Sequence, residues 1–326
     1  MLMLKKTIAA LSLLSILAAC QNDENPSQPE PKPRQDINLT RAEQEFMDKG
    51  TDFAFRFFDQ VCSTEKEKPN VFVSPLSASL CLSMITNGAT DNTLAEMQNV
   101  LGFPANTFSL DDLNNYNQKL TSALLDLDNT TQLGIANSIW IEEGFKVYDS
   151  FVDVNKKMYD AQVQELDFTS PTAKDVINQW CATQTNNCIK EVIQEIPADA
   201  RMYLINALYF KGIWKSQFDK SATGQDNFTN VDGSQQKVAM MNQTATFSYT
   251  QTDDFSIAEL PYGNEAFSMV ILLPSGDKTL DESLSSLNYE NWKQWSKNMV
   301  GKELQIKLPR FKVCLLYTSP SPRDTR

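Results

Sequence analysis

The 326-residue chain contains no histidine. That absence excludes Ser-His-Asp and Cys-His catalysis, because no imidazole is present to take a nucleophile's proton. It also excludes zinc sites built on histidine, the metalloprotease helix motif among them. Neither common type of glycine-rich phosphate loop occurs, and no two cysteines stand at C-x-x-C spacing. Basic residues are in the minority, 29 against 41 acidic ones, for a net charge of −12. A chain this acidic does not draw nucleic acid or an anionic membrane surface through bulk electrostatics. Its acidity reads as a solvated surface that keeps a secreted protein soluble. Chance carboxylate pairs are unavoidable among 41 acids, so a carboxylate-based hydrolase is the enzyme class that composition leaves open.

What is present suffices for a large core. Hydrophobic residues make up 41% of the chain and aromatics 10%, ample for one large core or two smaller ones. The N-terminus carries an address. Lys5 and Lys6 precede an apolar stretch over residues 8–19, too short for a stable bilayer anchor. It ends in "LAAC", which resembles a bacterial lipoprotein signal: residues 1–19 are expected to be cleaved and Cys20 to become the lipidated first residue. A polar segment with Pro26, Pro29, Pro31 and Pro33 follows, so residues 20–36 read as an extended tether of roughly 3 Å per residue. The expected location is the cell envelope or cell surface.

Five cysteines remain: Cys62, Cys81, Cys181, Cys188 and Cys314. Cys81 sits in an apolar stretch and reads as a small core residue. Cys181 and Cys188 are too far apart to bridge along one continuous helix. The odd count argues against a disulfide framework.

Along the chain, Thr40 and Glu43 form a capping-box pattern, and Phe46, Phe53 and Phe57 mark one helix face. "NVFVSPLSASLCLSMI" predicts a short strand over 71–73 and then a helix capped by Ser74 with Pro75 in its first turn. Helices are predicted over 93–103, closed by Gly102, and over 111–126 and 151–159. Another is predicted over 173–186, with Val176, Ile177 and Trp180 on one side. Residues 280–295 read as one further helix. Strand patterns cover "QLGIANSIWIEEG", "AQVQELDF", "RMYLINALYFKGIW" and residues 237–249, 255–260 and 267–274. The continuous apolar run of the last predicts burial on both faces. Residues 304–308 alternate as a half-buried strand does. No repeat or internal linker appears, so residues 37–313 read as one domain.

The order of segments resembles the serpin family. "NVFVSPLSASLCLSMITNGATDNTLAEMQNVLGF" is similar to the family's early strand-and-helix signature, and "INQWCATQTNNCIKEVI" followed by "LINALYFKGIWKSQFD" to its most recognisable internal stretch. "VAMMNQTATFSY", "AELPYGNEAFSMVILLPSG" and "LPRFKV" follow in family order. The resemblance spans about residues 40–313. It implies an α+β fold with a large central, mostly antiparallel sheet, smaller sheets and about eight or nine helices. It also implies the family's work, trapping a serine or sometimes a cysteine protease as a suicide substrate. An exposed loop is cut, then inserts as a strand into the central sheet and drags the acylated protease along. The protease supplies the catalytic groups, which suits a chain without histidine. No cofactor is implied.

By position, Ser74 and Ser77 in "SPLS" and Asn206 in "LINALYF" match the family's shutter, and Trp214 matches its breach tryptophan, where the loop first enters. Leu204, Asn206, Leu208 and Phe210 share one strand face. An unpaired amide on that apolar face costs roughly 1–3 kcal/mol, so Asn206 is expected to find partners, the serine hydroxyls first. The bland readings are a partly wet edge for Asn206, a plain helix cap for Ser74 and a core aromatic for Trp214.

The pattern departs from the family in two ways. The usual shutter histidine is absent. Residues 304–313 read as a strand of the central sheet, and residues 314–326 match nothing in the pattern and read as an unrelated tail, so the reactive loop and final strands are expected to be missing. Family members that bind polysaccharide use a basic helix; here Asp111, Asp112, Asp126 and Asp128 stand against Lys119 alone. No heparin-like partner is expected. The expected state is a monomer, and the alternative function is a non-inhibitory binding or structural protein.

Overall fold

The computed structural model describes residues 30–312, apart from 67, 69, 105, 106 and 231. The compact unit that starts at Pro31 carries all of the elements. The expectations for residues 1–29 and 313–326, Cys20 and Cys314 included, fall outside the described residues.

Helix α1 (Arg41–Thr64) starts where the sequence signals it. Thr40 accepts from the Glu43 backbone, and the Glu43 side chain accepts from the Thr40 backbone. Phe46 and Phe53 of α1 pack with Leu101 of α3 (Asp91–Leu101) and with Leu113 and Tyr116 of α4 (Leu110–Asp126). Phe46 stacks on Tyr116 with ring centroids 5.1 Å apart. Gly102 ends α3 in the left-handed conformation, φ 82°, which a glycine adopts without steric cost.

The three-stranded sheet runs in the order β2–β1–β3, with β1 at Gln132–Glu142, β2 at Gln162–Leu166 and β3 at Met202–Lys211. β1 pairs parallel with β2 and antiparallel with β3. Alternation sends successive side chains to opposite faces. Ile139, Ile141, Met202 and Leu204 meet α2 (Pro75–Thr86) and α5 (Asp149–Tyr159) through Leu80, Met84 and Phe151. Trp140, Tyr203, Ile205 and Ala207 meet α6 (Ala173–Gln184) through Ile177, Trp180 and Cys181. Val176, expected on that inner side, is 39% exposed; it precedes Ile177 by one position, a turn of 100° around the helix.

The second sheet is five-stranded and antiparallel. It runs β4 (Gly224–Thr229), β5 (Gln235–Gln251), β6 (Phe255–Pro261), β7 (Ser268–Pro274), and β8 (Val300–Pro309) takes the other edge of β5. With α7 (Leu280–Leu284) and α8 (Tyr289–Lys297) the described residues hold eight α-helices and two sheets, a mixed α+β fold. The four described cysteines, 62, 81, 181 and 188, are free thiols. No described helix is long and apolar enough to cross a membrane.

Four local expectations are corrected. Residues 71–73 form no strand, because a short strand exists through its partner's hydrogen bonds and none pairs there among the described residues. β7 is not buried on both faces: Leu273 is 63% exposed, and β7 pairs with β6 alone among the described strands. The helix expected over 280–295 is two, because Asn288 caps a fresh start at φ −143°. The strand expected over 304–313 in the central sheet is part of β8 (Val300–Pro309) and joins β5 rather than the sheet of β1 and β3. Alternation reports a half-buried strand but is silent on its neighbour.

Candidate functional site

Asn206 is fixed by register. β1 and β3 run antiparallel with Asn137 directly opposite Asn206, and cross-strand partners share a face. Asn206 Nδ2 donates to Asn137 Oδ1 at 2.8 Å, and Asn137 Nδ2 donates to the Tyr159 carbonyl at 2.8 Å. Tyr159 ends α5 and its hydroxyl donates to Asn114 Oδ1 of α4 at 2.6 Å. Asn117 Nδ2 donates to the same hydroxyl at 3.3 Å, and Asn114 and Asn87 exchange amide hydrogen bonds. A chain of buried and half-buried amides and one phenol thus ties β3 through β1 and α5 to α4. Burial pushes the Tyr159 hydroxyl up to about 12, against hydrogen bonds from Asn117, Asn87 and Ser83.

The expectation that the serines serve Asn206 is corrected. Ser74 Oγ caps α2 by accepting from the Ser77 backbone at 3.3 Å, and the two hydroxyls lie 2.8 Å apart. Asn206 meets α2 further along, at Cys81, four residues past Ser77. That is about 6 Å of helix rise. Burial pushes the Cys81 thiol up to about 11, opposed by a hydrogen bond from the Asn206 backbone. Asn206 Oδ1 is buried and has no hydrogen-bond partner among the described residues.

Trp214 lies just past β3, half-buried. It forms a β-bridge with Tyr262 and stacks on that ring, centroids 4.3 Å apart at 19°. Phe218 meets it edge-on at 5.9 Å. Gly212 permits the close approach, since a Cβ there would stand 2.6 Å from the Tyr262 ring. The structure therefore places Ser74 with Ser77, Asn206 with Asn137, and Trp214 with Tyr262, as three separate contacts around β3. Cys20 lies outside the described residues.

Sequence reasoning missed Asn137, Tyr159 and Tyr262. A signal for Asn137 existed: like Asn206, it interrupts an apolar strand run, "GIANSIW". Chemically the site offers hydrogen bonds and an edge but no nucleophile–base pair. No described group of cysteines and carboxylates is placed to hold a metal ion.

The family model described as Serpin (serine protease inhibitor) matches residues 48–318. The chain belongs to the serpin family. An uncharacterized serpin-like protein of Methanosarcina acetivorans is 33% identical over 267 residues, covering 80% of this chain and 62% of that relative. The thermophilic serpin tengpin in its latent state superposes with a TM-score of 0.75 at 30% identity, over 85% of this chain and 73% of that one. Emu ovalbumin gives a TM-score of 0.76 at 25% identity, over 82% and 74%. The chain thus spans less than two thirds of the archaeal relative. Serpins are in general protease inhibitors rather than enzymes, and some members do not inhibit.

Proposed function

We propose that this serpin traps a serine or cysteine protease as a suicide substrate. The protease's own nucleophile attacks a scissile carbonyl in the reactive loop; the new acyl bond forms, the peptide C–N bond breaks, and the leaving amine takes the proton. The freed loop then enters beside Trp214 and runs along β3. The observation that carries this reading is β3 itself. It is ten residues long and, among the described strands, is paired only along its β1 edge. Asn206 Oδ1, on the face of β3 that it shares with Leu204, is a buried acceptor without a donor among the described residues, which is costly unless a side chain of a neighbouring strand supplies one. Ser74 and Ser77 hold the start of α2 beneath that sheet.

The N-terminal features complete the proposal. Cys20 carries the lipid and residues 20–30 act as tether, shorter than the expected 20–36 because the chain from Pro31 on belongs to the compact unit, with Lys32 held by Asn129 and Asp126; the inhibitor works as a monomer at the cell envelope or surface. Its acidic α4 turns away heparin-like polysaccharide, and nucleic acid is no partner.

The test uses the complete product of the gene, incubated with trypsin-, chymotrypsin-, elastase- and subtilisin-like proteases and a papain-like protease. An SDS-stable equimolar complex with at least one of them is expected. Cleavage without a complex, or no interaction at all, would assign the fold to a non-inhibitory binding role. Fatty-acid labelling lost in Cys20→Ser checks the anchor.

A further inference from the structure

Asp128 lies in the connection between α4 and β1 and is only 5% exposed. No lysine or arginine pairs with it among the described residues. A carboxylate buried without a cation is retained only if hydrogen bonds replace its water. Four do so here. The Thr130 backbone, Thr130 Oγ1 and Thr131 Oγ1 each donate at 2.8 Å, and the Asn264 backbone donates at 3.4 Å. The first three are local. The fourth comes from the turn between β6 and β7, and the Asn264 side chain answers by donating to the Leu127 carbonyl at 2.7 Å.

That turn is gripped from its other side by the segment leaving β3. The Gly263 backbone donates to the Ile213 carbonyl at 2.7 Å and the Lys215 backbone to the Pro261 carbonyl at 3.0 Å. Lys215 also pairs with Glu265, and Trp214 stacks on Tyr262. The fit is tight, since a Cβ on Gly263 would stand 2.1 Å from both Asp128 Oδ2 and Thr130 Oγ1. Residues 262–265 are therefore a wedge between Asp128 and the end of β3.

We infer that Asp128 is a positioning residue that latches the 262–265 turn against the end of β3 and so sets how readily the sheet opens beside Trp214. The inference rests on Trp214 being the point of loop entry in the proposed function. With the latch intact, the bridge and the stack at Trp214 are held from both sides. Without it, the turn is held on the α4 side by the Asn264 side chain on the Leu127 carbonyl alone, against the full set of contacts to the segment it must release.

The test is amide hydrogen exchange on the complete gene product, comparing wild type with Asp128→Asn, Asn264→Ala and the control Asp126→Asn. Asp126 has an 87% exposed side chain on the same stretch and pairs with Lys32. The Gly263 and Lys215 amides should exchange about tenfold faster in Asp128→Asn, the effect of losing one or two hydrogen bonds. They should change by a smaller factor in Asn264→Ala and not at all in Asp126→Asn. Unchanged exchange, or an equal rise in α6 and β6 that signals general loosening, would overturn the latch. Where wild type forms protease complexes, Asp128→Asn should also lose inhibitory activity on standing about tenfold faster, with its association rate to the protease unchanged. If wild type forms none, the suicide-substrate reading fails while the exchange result still decides the latch. Should Asp128→Asn not fold, Asn264→Ala carries both measurements.

Discussion

Asn206 and Asn137 face each other across β3 and β1, joined by one hydrogen bond of 2.8 Å, with the buried Asn206 Oδ1 left unpaired among the described residues. The pair has a cost and a gain that can be separated. Removing Asn137 orphans both Asn206 Nδ2 and the Tyr159 carbonyl, two groups that then lack partners. Removing Asn206 orphans one acceptor on Asn137 and also removes an acceptor that was never satisfied. Asn137→Ala should therefore lower stability by more than Asn206→Ala, by about 1–3 kcal/mol for each group left unpaired. A double-mutant cycle followed by urea unfolding should return a coupling of about 1 kcal/mol. Zero coupling would mean that the two amides do not act as a pair.

Tyr159 is the hinge of the same chain of contacts. Its hydroxyl donates to Asn114 and accepts from Asn117, while its ring packs among Leu80, Met84 and Ile139. Tyr159→Phe keeps the ring and deletes only the hydroxyl. The expected loss is about 1–2 kcal/mol, because Asn117 Nδ2 is left without its acceptor. The urea midpoint should fall with an unchanged m value. A fall in m would point instead to a looser native state.

Much of this arrangement is legible in the amino-acid sequence. The capping box at Thr40, the cap at Ser74 and the stop at Gly102 are local, and local rules locate them; the boxes at Ser109 and Thr279 are equally local and were missed. The polar residue on the apolar face of β3 was visible as well. Its partner was not, because register between β1 and β3 is set by packing of strands some seventy residues apart in sequence. The same limit explains β8, whose alternation was clear and whose neighbour was not. By sequence Asp128 reads as one more surface acid. Burial, which alternation does not report for a loop, is what made it a structural group.

Gly212 makes a third expectation. A methyl group added there would stand 2.6 Å from Tyr262 Cδ1 and 2.8 Å from Cγ, so the ring must move. The ring cannot move without leaving Trp214, on which it stacks at 4.3 Å. Gly212→Ala should destabilise the fold by about 1–3 kcal/mol, as overpacking does. It should also shift tryptophan emission to the red as Trp214 gains water. The shift should vanish in a Trp214→Phe background, which isolates this tryptophan from the other four. A red shift that persists there would place the disturbance elsewhere.

Asp128 carries the last expectation, in acid. Its burial raises the carboxyl pKa, and the hydrogen bonds from Thr130, Thr131 and Asn264 outweigh that, so the group sits below the usual aspartate value. A folded-state pKa below the unfolded one means that the folded state favours the charged form. The stabilisation is therefore fully present above the unfolded value of about 3.9, and it is lost as pH falls through the folded pKa. Other carboxylates move the same way, among them Asp112 at an exposed cap and the half-buried Glu43 and Asp254 in ion pairs with the more exposed Lys119 and Lys278, where solvent screening limits what they contribute. Unfolding by urea at steps between pH 6 and pH 3 should show wild type losing stability below about pH 4. Asp128→Asn should begin less stable at pH 6 and lose less over the same range, so that the two curves converge. Parallel curves would show that the Asp128 charge is not what holds the 262–265 turn.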